Sequence, residues 1–582
     1  MPKSKVVNKV KRSRRKDTPF KIAIGYPPIE TSKGVPLLSQ NRQFQYFNAK
    51  TYIYPMVPAY AASLAQERGY KVGWFDGIAA EMSYKLWLES LANFKPDLFM
   101  LETKAPVIKA HWKIINDIKA SLPNCKIVLV GDHVTYKPQE SLENCNVDYI
   151  ITGGDYDFAL SDLADTLTLG TPLVGGIWGR VSDTNVQVPK LAKYIDNSIT
   201  GVKKEFWVSG PLKLTHDLDS LPFVDRDLTQ WKLYAYANGN YKYTPATYMY
   251  SGRDCWYNRC TFCVWDHTIN PIGSYRRFSP ERYFAEIKHL VDNYGVKEIF
   301  DDAGTLFIGP PLKKLCNLLI DSGYSKKVVL GCNMRLNALN QEYYDLMAQA
   351  NFRFILFGME SANQITLDKL DKGMMVHEIE SGVRMAKKAG LEPHLTIMLG
   401  YPWESYEDAK ETIALTKHLF KKGYVDTHQA TIVIPYPGTP LYKQCVENNW
   451  LVCDPLDYEA FDMRGPVMKI PFSNEQLLAL TQELYSSFFT PSYILRKIKT
   501  IRSVDDVKYY AYCGWKIFGH LLDFDESQTT NSLTNINYWL NIPKRLFSHL
   551  IPNKRDLEVE SKISSSIKTR QIYLDNITKI IK

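Results

Sequence analysis

No stretch of this sequence is apolar for long enough to cross a bilayer; a spanning helix needs about 20 largely apolar residues. The start is basic, with eight Lys or Arg among the first sixteen residues and no apolar core behind them. It is therefore not read as a secretory leader but as a solvated, disordered tail over residues 1–19, and no nucleic-acid partner is expected. Cysteine is scarce: ten in 582 residues, seven of them scattered, which excludes a disulfide scaffold. Free thiols point to a reducing, cytoplasmic compartment, with the inner membrane surface as a peripheral station. No Gly-x-Gly-x-x-Gly follows the first apolar run, which weighs against a nicotinamide or flavin dinucleotide. There is no internal repeat.

The length and the 45% hydrophobic content suffice for two or three globular domains. From Phe20, short apolar runs (21–25, 71–75, 97–101, 126–131, 148–152) alternate with helical stretches (55–68, 83–93, 107–121, 156–166). That alternation predicts an α/β, doubly wound, Rossmann-like sheet over residues 20–185. Ligands of such sheets sit at the carboxyl ends of the strands. The candidate loops there are Glu102-Thr103-Lys104-Ala105, Gly131-Asp132-His133 and Gly153-Gly154-Asp155. A linker is expected over 186–240. Over 241–470, six strand-like runs (246–250, 298–302, 327–332, 352–358, 395–400, 430–435) recur with helices between them, predicting a partial (β/α)6 TIM-like barrel. Residues 471–582 read as helical, including a helix at 563–581. The expectation there is a helical lid on the open side of the barrel, with a basic amphipathic membrane face as the alternative.

Three of the cysteines stand together: Cys255, Cys260 and Cys263, spaced Cys-x4-Cys-x2-Cys just after the first barrel run. Three thiolates on one short loop suit a soft-metal site, and iron–sulfur clusters take cysteine ligands. A closed structural zinc site wants four ligands, and no fourth cysteine is in a matching position, although a zinc knuckle remains the plain alternative. Polar groups recur at the following strand ends: Asp301-Asp302, Asn333-Met334-Arg335, Gly358-Met359-Glu360-Ser361 and Gly400-Tyr401-Pro402-Trp403-Glu404. Singly each has a structural explanation, such as a helix cap or a turn. Their order after a three-cysteine loop is the signal.

This combination resembles radical S-adenosylmethionine (SAM) enzymes that carry a cobalamin-binding domain. Their usual spacing is Cys-x3-Cys-x2-Cys with an aromatic before the last cysteine, matched by Phe262; one more residue separates Cys255 from Cys260 here. Residues 260–269 and 275–279, with Val130-Gly131-Asp132-His133 and Gly154–Phe158, look like the subgroup of the anaerobic Mg-protoporphyrin ester cyclase. They also resemble the hopanoid-associated and archaeal calditol-forming lipid enzymes. The resemblance covers roughly residues 20 to 500. It implies a [4Fe–4S] cluster on the three cysteines and SAM on the open iron. SAM cleavage would then give a 5′-deoxyadenosyl radical that abstracts hydrogen from an unactivated carbon. It also implies a SAM site with Glu360 and Ser361 on the polar groups and Arg335 on the carboxylate. Asp302, Gly358 and Gly400 belong to the same rim. Cobalamin would lie over Thr103, Gly131, Asp132, His133, Gly153 and Gly154. The Asp-x-His-x-x-Gly motif that ligates cobalt elsewhere is absent, so His133 reads as a local hydrogen-bonding residue. An electron donor such as flavodoxin or ferredoxin is implied. Ring or bond formation on a lipid-like or macrocyclic substrate is placed ahead of methylation, and a non-catalytic metal or cobalamin sensor is the rival from another class.

Overall fold

The computed structural model describes residues 19–39, 43–47, 50–181, 193–197 and 204–523. The basic start, through residue 18, and the helix expected at 563–581 lie outside the described residues. The first domain is built on eight strands: β1 (Lys21–Tyr26), β2 (Lys71–Asp76), β3 (Leu98–Thr103), β4 (Lys126–Gly131), β5 (Tyr149–Ile151), β6 (Ile177–Arg180), β7 (Lys193–Asn197) and β8 (Lys204–Val208). Their order in the sheet is β2-β1-β3-β4-β5-β6-β8-β7. The first five run parallel. All six residues of β3 are buried, as expected of a central strand covered by helices on both faces. The order reverses between β1 and β3, the switch point at which open α/β sheets place ligands.

The sheet does not stop at residue 185. β6, β8 and β7 extend it with antiparallel pairings, so the connector begins at Ser209 rather than at 186. Phe206 and Trp207 are fully buried, and the Trp207 indole donates to the Arg180 carbonyl at 2.9 Å. Two apolar residues set among charged ones give too short a pattern to show as a strand. The connector itself is part of the core. Arg226 is buried, lies 4.3 Å over the Tyr54 ring, and donates to the Thr247 hydroxyl and the Tyr248 carbonyl.

The second domain is six parallel strands in chain order: β9 (Ala246–Met249), β10 (Glu298–Asp301), β11 (Val329–Met334), β12 (Phe352–Glu360), β13 (Glu392–Leu399) and β14 (Thr427–Ile432). No pairing joins β14 to β9 among the described residues, so the barrel is open on one side. The helices between the strands have legible ends. Ser279 caps helix 280–294 by accepting from the Arg282 N–H, Pro280 opens it, and Gly295 ends it at a φ of 64°. β14 starts and ends three residues before the apolar run at 430–435. Gln429 and Thr431 face the barrel lumen, and a polar lumen hides the strand's period.

Two arginines are among the residues that join the domains. Arg253, buried, donates to the buried Asp157 carboxylate and, at 2.9 Å, to the Gly154 carbonyl. Arg276 holds Asp155 with two hydrogen bonds, at 2.6 and 2.7 Å. The last described helix takes a different place from the expected lid. Asp506 pairs with Lys242 at 2.9 Å, and Tyr509 donates to the Gly239 carbonyl. Lys242 N–H in turn donates to Glu298, the first residue of β10. The start of helix Val504–Asp523 therefore lies against the barrel floor, leaving the mouth to the first domain.

Candidate functional site

The cysteine loop hangs from β9 and is shaped by two residues in left-handed backbone conformations, Asp254 (φ 82°) and Asn258 (φ 51°). The Asp254 carboxylate accepts from the Cys255 N–H at 2.7 Å and from the Asn258 amide at 2.9 Å. Asn tolerates this conformation better than most residues, so the extra residue between Cys255 and Cys260 is absorbed as a hydrogen-bonded turn. Gly304, just past β10, lets the loop lie close: a methyl group there would stand 2.9 Å from the Cys255 Cβ.

All three cysteines line one cavity of about 280 Å³ at the barrel mouth, near the lower end of the small-molecule range. Among the described residues no three His, Cys, Asp or Glu side chains are grouped to hold a metal ion. A four-iron cube carries each thiolate on a different iron, an arrangement unlike the shared coordination sphere of one ion. Burial pushes the Cys255 thiol up to about 12 and raises Cys260 and Cys263 as well. Such thiols stay protonated until a cation compensates the charge, which bound metal does. Behind the loop two carboxyls face each other. Burial, then the hydrogen bond and charge of Asp266, push Asp254 up to about 11.

Phe262, Arg335, Gly358 and Glu360 line the same cavity as the cysteines. Glu360 ends β12 at a φ of 65°, where the β12–β13 register shifts, and its carboxylate pairs with Lys372 at 2.6 Å. A non-glycine residue in that conformation costs on the order of 1–3 kcal/mol and persists only where the surroundings enforce it. Gly358 supplies the room: a methyl group there would stand 2.3 Å from Glu360 Oε1 and 2.9 Å from Lys372 Nζ. Arg335 lies 3.6 Å over the Tyr257 ring and donates to the carbonyls of Lys372 and Gly373. Tyr257 donates in turn to the Asp371 carbonyl at 2.8 Å.

Other expected residues lie off the cavity. The Ser361 hydroxyl is buried and donates to Glu404 at 2.6 Å. Asp302 accepts from Asn333 at 3.1 Å and caps no helix. Gly400 (φ 95°) turns the chain beside Leu477. Of the aromatics near the cysteines, Trp265 packs against Tyr250, and the Trp256 indole donates to the Leu306 carbonyl.

At the strand ends of the first domain, Thr103 bonds His111, and Gly131 (φ 118°) passes so near that a methyl group would stand 2.1 Å from the Thr103 carbonyl oxygen. Asp132 faces the buried Lys104 at 3.8 Å, and Glu102 accepts from Tyr26 and Tyr156. His133 is buried, bonded to Glu140 at 2.8 Å and packed on the Tyr458 ring. Gly153 and Gly154 make room for Leu212 of the connector and Asn270 of the barrel.

Sequence reasoning missed Lys372, which belongs to no motif, and gave Asn258, Asp266 and Gly304 no role of their own within the runs that contain them. It also missed the excursion between β1 and helix Met56–Glu67. Leu37, Phe47, Thr51 and Ile53 from it line the cavity, and Tyr436 beyond β14 bonds both backbone groups of Phe44. The open side of the barrel is thus covered by the first domain.

Residues 249–416 match the Radical SAM superfamily. An uncharacterized methyltransferase of Pyrococcus horikoshii is 27% identical over 76% of this chain and 89% of its own length. The anaerobic magnesium-protoporphyrin IX monomethyl ester cyclase of Cereibacter sphaeroides is 24% identical over 71% of this chain and 63% of its own. Among solved structures, the cobalamin-dependent SAM radical enzyme OxsB, with aqua-cobalamin and SAM bound, shares the fold. Its TM-score is 0.60 at 16% identity, covering 97% of this chain and 81% of that one. The radical SAM methyltransferase TsrM of Kitasatospora setae, with cobalamin and a [4Fe-4S] cluster bound, gives 0.56 at 13% identity, covering 87% and 100%.

Proposed function

We propose, from the radical SAM domain that this chain carries, that it is a cobalamin-dependent enzyme that transfers a methyl group to an unactivated carbon of a lipid-like or macrocyclic substrate. The observation that carries this reading is the convergence of Cys255, Cys260 and Cys263 on one cavity with Arg335, Glu360 and Lys372. The residues fit the groups implied. The three thiols, Cys260 buried and Cys255 and Cys263 half-buried, suit a cluster with one open corner. The Arg335 guanidinium and the Glu360–Lys372 pair offer opposite charges to a carboxylate and an ammonium group, and the buried Asn333 Oδ1 beside them has no partner. Orphaned buried atoms at Asp132 Oδ1 and His133 Nδ1 mark the strand ends of the first domain as a place for a polar cofactor, although His133 is already tied to Glu140.

When bound, the cluster supplies an electron that splits SAM, and cobalamin supplies the transferable methyl group. The chain's own residues bind and orient. Asp254 fixes the cysteine loop through its backbone. Gly358 and the turn at Glu360 hold the acidic group at the cavity. The excursion from the first domain covers the open side of the barrel and shields the cavity from water. The likeness to the P. horikoshii methyltransferase favours methyl transfer over the ring closure placed first on sequence grounds. Ring or bond formation is the second reading, favoured by the likeness to the magnesium-protoporphyrin cyclase. Contact with an anionic lipid surface belongs to the same proposal. It is supported by the exposed Ile494, Leu495 and Ile498 on helix Pro491–Ile498, with Arg496 and Lys499 beside them.

The test is anaerobic purification with iron, sulfide and cobalt quantified, followed by incubation with SAM and a reductant. Release of 5′-deoxyadenosine or S-adenosylhomocysteine is expected, and Cys255→Ala, Cys260→Ala and Cys263→Ala should each abolish it while the fold persists. Product mass separates the two chemistries: methylation adds CH₂, and oxidative closure removes two hydrogens. A fully iron-loaded protein that leaves SAM intact under any conditions, with substrate supplied, would favour the sensor.

A further inference from the structure

The cavity has two ends of different chemistry. The charged side chains that reach it are Asp266, Arg335, Glu360 and Lys372, and all four act electrostatically on the Cys260 thiol. The polar lining beyond them is neutral. Gly358, Thr396 and Gln429 are register partners on three neighbouring strands, β12, β13 and β14, and form one layer of the lumen. At Gly358, which has no side chain, the Glu360–Lys372 ion pair takes up that flank of the layer. The Thr396 hydroxyl donates back to the Phe357 carbonyl and keeps its lone pairs for the cavity. The Gln429 amide lines the cavity without a hydrogen-bond partner among the described residues.

An amide with both donor and acceptor unspent inside a barrel matches a group that offers both in return. Gln429 is half-buried, so a group that displaces water from its amide must replace the hydrogen bonds the water made. Lys372 at the Gly358 flank is already paired with Glu360 at 2.6 Å, so an ionised carboxylate or phosphate in that layer would lose its hydration without a free counter-charge, which is costlier still. We infer that the layer around Gln429 and Thr396 receives an uncharged hydrogen-bonding group of the substrate, a hydroxyl or a carboxamide, and that Gln429 selects it. This rests on the reading of the cavity as a radical SAM site, and it narrows the substrate class at the reacting end.

Crystals of the cluster-loaded protein with SAM bound, soaked under anaerobic conditions in acetamide, isopropanol or acetate, test it without turnover. Acetamide and isopropanol should appear within hydrogen-bond distance of Gln429 and disappear in Gln429→Leu, while Gln429→Leu keeps its iron and its SAM affinity. Acetate should not appear within hydrogen-bond distance of Gln429. Acetate on Gln429, no neutral probe there, or SAM itself bonded to Gln429 would each overturn the inference. The first two of these results leave the radical SAM reading standing, and the third strengthens it.

Discussion

Gly358→Ala is the smallest change that should separate SAM binding from cluster binding. Gly358 is not at a positive φ, so the backbone accepts alanine and only space is contested. The new methyl would stand 2.3 Å from Glu360 Oε1 and 2.9 Å from Lys372 Nζ, so the carboxylate must retreat by about 1 Å to reach ordinary contact distance. That opens the 2.6 Å Glu360–Lys372 bond and moves both charges off their positions beside Cys260. A hydrogen bond to a charged group is worth about 1.5–3 kcal/mol. At about 1.4 kcal/mol per tenfold, SAM should bind roughly 10- to 100-fold more weakly. The assay is equilibrium dialysis of SAM against anaerobically reconstituted protein, with iron and sulfide measured on the same samples. Iron should equal that of the wild type, because no cysteine moves. Gly465→Ala, where a methyl group meets nothing within 4 Å, is the control. Wild-type SAM affinity in Gly358→Ala, or iron lost in step with SAM, would refute the role given to the Glu360–Lys372 pair.

Three further outcomes are expected. Burial raises Glu404 from its ordinary value of 4.5 to about 7, with the Ser361 hydroxyl opposing the shift. The folded state therefore holds this proton more tightly than the unfolded state: the stabilisation is full below about pH 4.5 and is lost as pH rises towards 7. Its upper limit is on the order of 3 kcal/mol, so Glu404→Gln should flatten the decline in Tm between pH 5 and 7 seen by calorimetry, and an unchanged slope would count against it. Arg253→Gln leaves the buried Asp157 without its cation and should cost about 3–5 kcal/mol in urea unfolding; a loss under 1 kcal/mol would show that the domains are held elsewhere. Ile494→Ser with Leu495→Ser should reduce sedimentation with phosphatidylglycerol vesicles and leave SAM cleavage unchanged, whereas equal sedimentation of both proteins would remove the lipid surface from the proposal.

The sequence by itself determined the two α/β domains, because strands buried on both faces read as apolar runs and their helices carry recognisable caps. It determined the cysteine loop too, since ligands supplied by one short loop are neighbours in the chain. Gly358, Glu360 and Arg335 were legible for a related reason: chemistry in such a barrel sits at strand ends, and strand ends can be counted. Only the tertiary structure decided the rest. Lys372 meets Glu360 because the chain after helix Gln364–Lys369 turns back over the barrel mouth, and no spacing rule encodes that return. Gln429 was read as lying outside its strand because a polar lumen erases the apolar period that marks strands elsewhere. The glycines at 153 and 154 serve contacts with Leu212 and Asn270, far along the chain. Chain-local geometry is written in local residue order, whereas a site assembled from two domains depends on which surfaces meet, and that is settled by packing over the whole molecule.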